Sequence, residues 1–93
     1  MDFEDVEWDE NKRLSNIEKH GLDFRDAIDV LDGPCLELSG RMVAGEIRSI
    51  AVGMLDDVCV SIIYTIRGAV LRVISMRKAR NGERKRYCQI FSG

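Results

Sequence analysis

Between residue 58 and the end of this 93-residue chain there is one acidic side chain, Glu83. Two-metal nucleases and similar enzymes need several carboxylates gathered around their ions, and the C-terminal third cannot supply them. Histidine is almost as scarce, with His20 alone. Cys35, Cys59 and Cys88 are odd in number, widely spaced and form no CxxC pair, so neither a disulfide framework nor a four-ligand zinc site is expected. No metal and no cofactor is expected. No apolar run approaches the roughly 18–20 residues that span a bilayer, and the opening MDFEDVEWDE has neither the basic nor the apolar region of a secretory signal. The expectation is a cytoplasmic protein with no membrane partner. Ninety-three residues suffice for one domain, 1–93.

What is present is unevenly distributed. Residues 1–34 hold eleven acids against four bases, a charge of −7; residues 35–61 hold four against two, −2; residues 62–93 hold one against eight, +7. Together these give the net −2 of the whole chain. Such polarity within one small domain suits a polyanion partner at the basic end, although acidic helices paired internally with that segment would give the same pattern.

Hydrophobic periodicity predicts the fold class. Residues 9–20 are rich in helix formers and Gly21 is placed to stop them. Asp23 is a good N-cap for a second helix, whose Phe24, Ala27, Ile28 and Leu31 follow at i, i+3, i+4 and i+7; Asp32-Gly33-Pro34 ends it. The period then drops to two. Strands are predicted over 35–39, 46–54, 57–66 and 69–77, with turns at Met54-Leu55-Asp56 and Arg67-Gly68, and a last helix over 78–91. This reads as an α+β fold: two N-terminal helices, an antiparallel sheet of three to four strands, and a C-terminal helix.

The chemistry-bearing residues lie in the second half. Glu46 and Arg48 are two apart on a strand and so share a face. Arg67 sits at a hairpin tip. Arg72 and Arg77 are five apart and face opposite sides unless a bulge intervenes. Lys78, Arg80, Arg84, Lys85 and Arg86 lead towards Tyr87, and His20 ends the first helix. Cleavage of RNA by its own 2′-hydroxyl needs a base, cations for the charge on phosphorus, and an acid for the leaving oxygen; arginine suits the second task because its fork grips two phosphate oxygens and never deprotonates. Each residue also has a plainer explanation: a surface ion pair, a solvated helix face, a helix-end charge, a rim tyrosine. On these grounds alone a ribonuclease and a basic protein-binding module stand level.

A resemblance separates them. Trp8-Asp9-x-x-Lys12-x-x-x-Asn16-x-x-Lys19-His20-Gly21 with Leu22-Asp23-Phe24, then Gly45-Glu46-x-Arg48, Gly53, Tyr64-Thr65-x-Arg67-Gly68, Arg72-Val73-Ile74-Ser75-x-Arg77-Lys78-Ala79 and Glu83-Arg84-x-x-Tyr87 resemble, in order and spacing, the BrnT toxins of type II toxin–antitoxin systems. The resemblance implies a RelE-like fold, metal-independent RNA cleavage that blocks translation, whether free or on the ribosome, and neutralisation by BrnA, a ribbon-helix-helix antitoxin. Through that antitoxin alone the complex would reach operator DNA. Carried onto matching positions, it makes Glu46, Arg48, Arg67, Arg77 and Tyr87 the expected catalytic set: Arg67 and Arg77 on the phosphate, Glu46 as base, Tyr87 or His20 as acid. Arg72, Lys78, Arg80, Arg84, His20 and Lys12 are expected to bind RNA. The alternative is a non-catalytic antitoxin-binding partner and transcriptional co-repressor, which scattering of Glu46, Arg48, Arg67 and Arg77 would favour over convergence on one cleft.

Overall fold

The computed structural model describes residues 3–91. Strand β1 (Asp5–Trp8) leads into helix α1 (Glu10–His20). The Asp9 side chain caps that helix by accepting from the Asn11 and Lys12 N–H groups, and Gly21, at φ 67°, closes it with its N–H on Ile17 O. A 3₁₀ turn (Phe24–Asp26), capped by Asp23, runs into the short helix α2 (Ala27–Asp32). There follow β2 (Leu36–Leu38), β3 (Met42–Val43), β4 (Glu46–Ile47), β5 (Ser49–Leu55), β6 (Val58–Arg67), β7 (Val70–Lys78) and helix α3 (Asn81–Phe91).

The main sheet has the order β1-β7-β6-β5-β2; β3 and β4 form a separate two-stranded hairpin. The expected antiparallel meander is present in β5, β6 and β7, but the strand expected over 46–54 is broken at Arg48 into β4 and β5, which belong to different sheets. Three further features of the expected fold are corrected. The sheet has five strands rather than three or four, and it is mixed, because β1 runs parallel to β7 with Asp5 opposite Val70 and Trp8 opposite Val73. The segment expected as one second helix divides into the 3₁₀ turn and α2, so the helical pieces before the sheet are not the two that were drawn. The last helix starts at Asn81, not 78, since Lys78 still pairs with Val60 and the Ala79 N–H donates to Cys59 O. The RelE-like arrangement of two helices, an antiparallel sheet and a helix gives way to this one.

One face of the sheet carries the core: Ala51, Val60, Ile62, Tyr64, Leu71, Val73 and Met76 pack against Phe24, Ala27, Val30 and Leu31. Val73 and Met76 are three apart yet both point inward, because the register slips between Ile63 and Tyr64 and leaves Ile74 as the extra residue of a β-bulge. Where β1 stops, the free edge of β7 is taken over by α1. Buried Asn16 accepts from the Met76 N–H (3.1 Å) and donates to Met76 O (2.8 Å), replacing the missing strand. The opposite face bears α3 and the β3–β4 hairpin: Ser61 donates to Glu83 of α3, and Thr65 donates to Ile47 O of β4.

Candidate functional site: an arginine-walled cleft

On that second face, Ile50, Ile63 and Ser75 stand side by side across β5, β6 and β7. They floor a cleft of about 420 Å³. One wall is the hairpin, with Gly40, Arg41, Val43 and Arg48; the other is Arg77 of β7 and Arg80 just before α3. Four arginines line it and no acid is among the lining residues.

Local geometry explains the walls. Ala44 and Gly45 both have positive φ (50° and 80°), as a two-residue turn of the type I′ kind requires, and fold Met42 back onto Ile47. The Arg48 N–H donates to Arg41 O at the hairpin's base. Gly40 passes so close that an added Cβ would fall 1.7 Å from Arg48 O, so only glycine lets the two hairpin arginines enter the cleft together. Across the floor, Arg77 makes a two-pronged ion pair with Glu83 (2.8 and 3.0 Å), which also accepts from Ser61 Oγ and the Arg80 N–H. The Arg77 guanidinium above all, helped by the Arg80 N–H and Ser61, holds the Glu83 carboxyl down at about 2. The last of these bonds is half of a capping box at the start of α3.

Glu46 and Arg67 are not among the cleft's lining residues, so of the four residues whose convergence would separate a ribonuclease from a non-catalytic partner only Arg48 and Arg77 meet in it. They form their own two-pronged pair (2.8 and 2.9 Å) beside the hairpin. The Glu46 carboxyl is pushed below the usual glutamate range by its Arg67 hydrogen bonds first, then by the charges of Arg67, Arg48 and Arg72; it therefore lies within electrostatic reach of the cleft's Arg48. The bulge at Ile74 puts Arg72 and Arg77 on the same face, opposite Thr65 and Ser61, and Arg72 pairs with Glu7 at 3.4 Å.

The other expected residues lie apart. Tyr87 is buried, its hydroxyl donating to Pro34 O and its ring against Phe91. Arg84 donates to Asn81, and with Lys78 it lines a different depression, beside Cys59 and Cys88. Lys12 and His20 are exposed on α1, one turn either side of Asn16. No disulfide joins the cysteines; Cys35 and Cys59 are part-buried and Cys88 is exposed. Among the described residues, no three His, Cys, Asp or Glu are grouped to hold a metal ion, and no helix is long and apolar enough to cross a membrane.

Sequence reasoning brought Arg48, Arg77 and Arg80 forward but missed Arg41, Gly40 and Ser75 as parts of one site. The available signal was the Ala44-Gly45 turn between Met42 and Ile47, which brings Arg41 back against Arg48.

A small mixed α+β protein with a four-arginine cleft, no acid among its lining residues, has the chemistry to hold anionic groups. The family model of BrnT, the ribonuclease toxin of type II toxin–antitoxin systems, matches residues 8–83. The chain belongs to that family: a toxin whose substrate is RNA and whose partner is an antitoxin. A comparison with curated proteins finds no match. The matched span takes in the whole cleft together with Glu46 and Arg67, and leaves Tyr87 outside.

Proposed function

We propose that this toxin, acting as one domain over residues 1–93, cleaves RNA without a metal by attack of the 2′-hydroxyl, and that the four-arginine cleft holds the scissile phosphate. The observation that carries this reading is the cleft's composition: Arg41, Arg48, Arg77 and Arg80 with no acid among its lining residues. Arg41, Arg48 and Arg80 grip the phosphate oxygens and offset the charge that grows on them. Arg77 adds its charge from the wall while anchored to Glu83. Glu46, ionised at neutral pH, takes the 2′ proton; the 2′ oxygen bonds to phosphorus as the bond to the 5′ oxygen breaks. Tyr87 is committed to Pro34 O and His20 lies apart on α1, so the departing 5′ oxygen takes its proton from water. The products are a 2′,3′-cyclic phosphate and a 5′-hydroxyl. Arg67 orients Glu46, and Arg72, Lys78, Arg84 and Lys12 extend the basic path for the flanking strand.

In the cell, such cleavage would block translation in the cytoplasm, and a BrnA-type ribbon-helix-helix antitoxin would neutralise the toxin and carry it to operator DNA. The test is purified toxin on a short RNA in excess EDTA, beside the same RNA with one 2′-deoxy substitution at the cleaved position. Cutting of the first and sparing of the second is expected, as is loss of cutting by Arg48→Ala. Activity lost to EDTA and restored by magnesium would overturn the mechanism. A folded, antitoxin-binding protein that cuts no RNA would return the non-catalytic partner reading.

A further inference from the structure

The floor of the arginine cleft is apolar in a way that a phosphate does not use. Ile50 and Ile63 alternate along their strands with the core residues Ala51, Ile62 and Tyr64, so they point away from the core, and they stay half-buried in the cleft with Val43 of the hairpin. Apolar surface left open beneath charged walls is unfavourable unless something covers it. The volume of about 420 Å³ falls among pockets that hold whole small molecules, about 300–1,000 Å³, and far exceeds what one phosphate group fills.

Ser75 is the one uncharged polar side chain among the lining residues. Its hydroxyl is held loosely: it donates to Asn16 Oδ1 at 3.4 Å, the long end of hydrogen-bond distance, and that oxygen already accepts from the Met76 N–H at 3.1 Å. The hydroxyl can therefore turn to a group entering the cleft, as donor or acceptor. A nucleobase matches this lining. Its flat faces are apolar and stack on guanidinium planes, and its edge carries donors and acceptors. In a duplex those faces are covered by neighbouring bases, so only an unpaired base can enter.

We infer that the cleft takes an unpaired nucleobase together with the phosphate: the base of a nucleotide flanking the scissile phosphate lies on Ile50 and Ile63, and Ser75 meets its edge and sets the base preference. The substrate class is thereby single-stranded RNA. The inference rests on the cleft being the phosphate site, and the experiment keeps the two separable.

The probe is a labelled short RNA, made uncleavable by a 2′-deoxy substitution at the cleaved position, with copies in which each nucleotide in turn lacks its base. Fluorescence anisotropy with the parent toxin should find one position beside the scissile phosphate where loss of the base weakens binding by about tenfold, the usual loss of one stacked base. The variant Ile50→Thr/Ile63→Thr keeps β-branched strand residues and should bind the intact RNA only about as well as that abasic copy, so the ratio falls to about one. A general loss of shape would weaken both RNAs and keep the ratio, and a ratio kept in the folded variant overturns the inference. Should that variant not fold, Ser75→Ala decides: the preference among the four bases at that position should flatten several-fold, and an unchanged preference overturns the inference. Arg48→Ala tests the reading beneath it, and should weaken intact and abasic RNAs alike. If it does so while every abasic copy binds as well as the intact RNA, the phosphate site stands and the base subsite falls; if it weakens neither, both fall.

Discussion

Replacing Glu83 by alanine should be a strongly damaging change to a charged side chain in this protein. Four groups lean on that carboxylate: both ends of the Arg77 guanidinium, Ser61 Oγ and the Arg80 N–H. The ion pair is nearly closed to water, with 17% of the Arg77 side chain exposed and 13% of Glu83. Its folded-state carboxyl titrates at about 2, against about 4.3 in an unfolded chain, a difference worth about 3 kcal/mol at 1.36 kcal/mol per unit. Solvent at the cleft mouth brings the expected cost of Glu83→Ala to about 2–3 kcal/mol, and for a domain of this size that lowers the melting temperature by about 10–20 °C. Because the folded pKa is depressed, the stabilisation is complete above the unfolded value and is lost as pH falls towards 2. Urea unfolding at pH 7, 5, 4 and 3 should therefore show the parent converging on the variant as acid is added. Glu83→Gln, which still accepts from Ser61 and the Arg80 N–H, should fall between the two at neutral pH. A cost under about 0.5 kcal/mol, within the range of ordinary surface substitutions, or a gap unchanged between pH 5 and pH 3, would refute the reasoning.

Three further outcomes follow from the same geometry. Arg41→Ala, Arg48→Ala and Arg80→Ala should each leave the circular dichroism spectrum and melting curve near the parent's while lowering kcat/KM on RNA by about 10²–10³, the usual loss of one transition-state contact. Since Arg67 is the main cause of the depressed Glu46 carboxyl, the acid limb of the kcat/KM profile should lie below the ordinary glutamate range. In Arg67→Ala it should move to higher pH, and an unmoved limb would remove Glu46 as the base. Gly40→Ala should separate the hairpin base from Arg48, reducing RNA affinity without touching any arginine, as fluorescence anisotropy with a labelled uncleavable RNA would show.

The strands the sequence showed most clearly were those whose patterning is local. Residues 57–66 and 69–77 alternate strongly and became β6 and β7 with a shift of one residue; Gly21 and Asp23 cap where their chemistry says they should. Strand β1 was illegible because Asp-Val-Glu-Trp is too short to show a period, and its reason for being a strand is a partner far along the chain. Alternation alone sends Arg72 and Arg77 to opposite faces; the bulge at Ile74 that reunites them leaves no mark in residue type. Of the site, the arginines were visible as charge, but which of them meet depended on the Ala44-Gly45 turn and the tight passage at Gly40. Tyr87, expected in the site from its residue type, has its hydroxyl on the backbone carbonyl of Pro34, a partner that nothing in the local sequence announces.

The parallel pairing of β1 with β7 also sets an order of events in time. Asp5 and Val70 are 65 residues apart, whereas β5, β6 and β7 are joined by two-residue links that zip locally. With each doubling of loop length adding about 0.6 kcal/mol of closure entropy, bringing β1 home costs about 3 kcal/mol more than closing a hairpin. The meander should therefore assemble first, and β1, together with the Asn16 clasp on Met76, should dock onto an edge already built. On the ribosome, neither can reach its place until β7 has emerged. Substitutions in β1 should accordingly quicken unfolding while leaving the refolding rate nearly untouched.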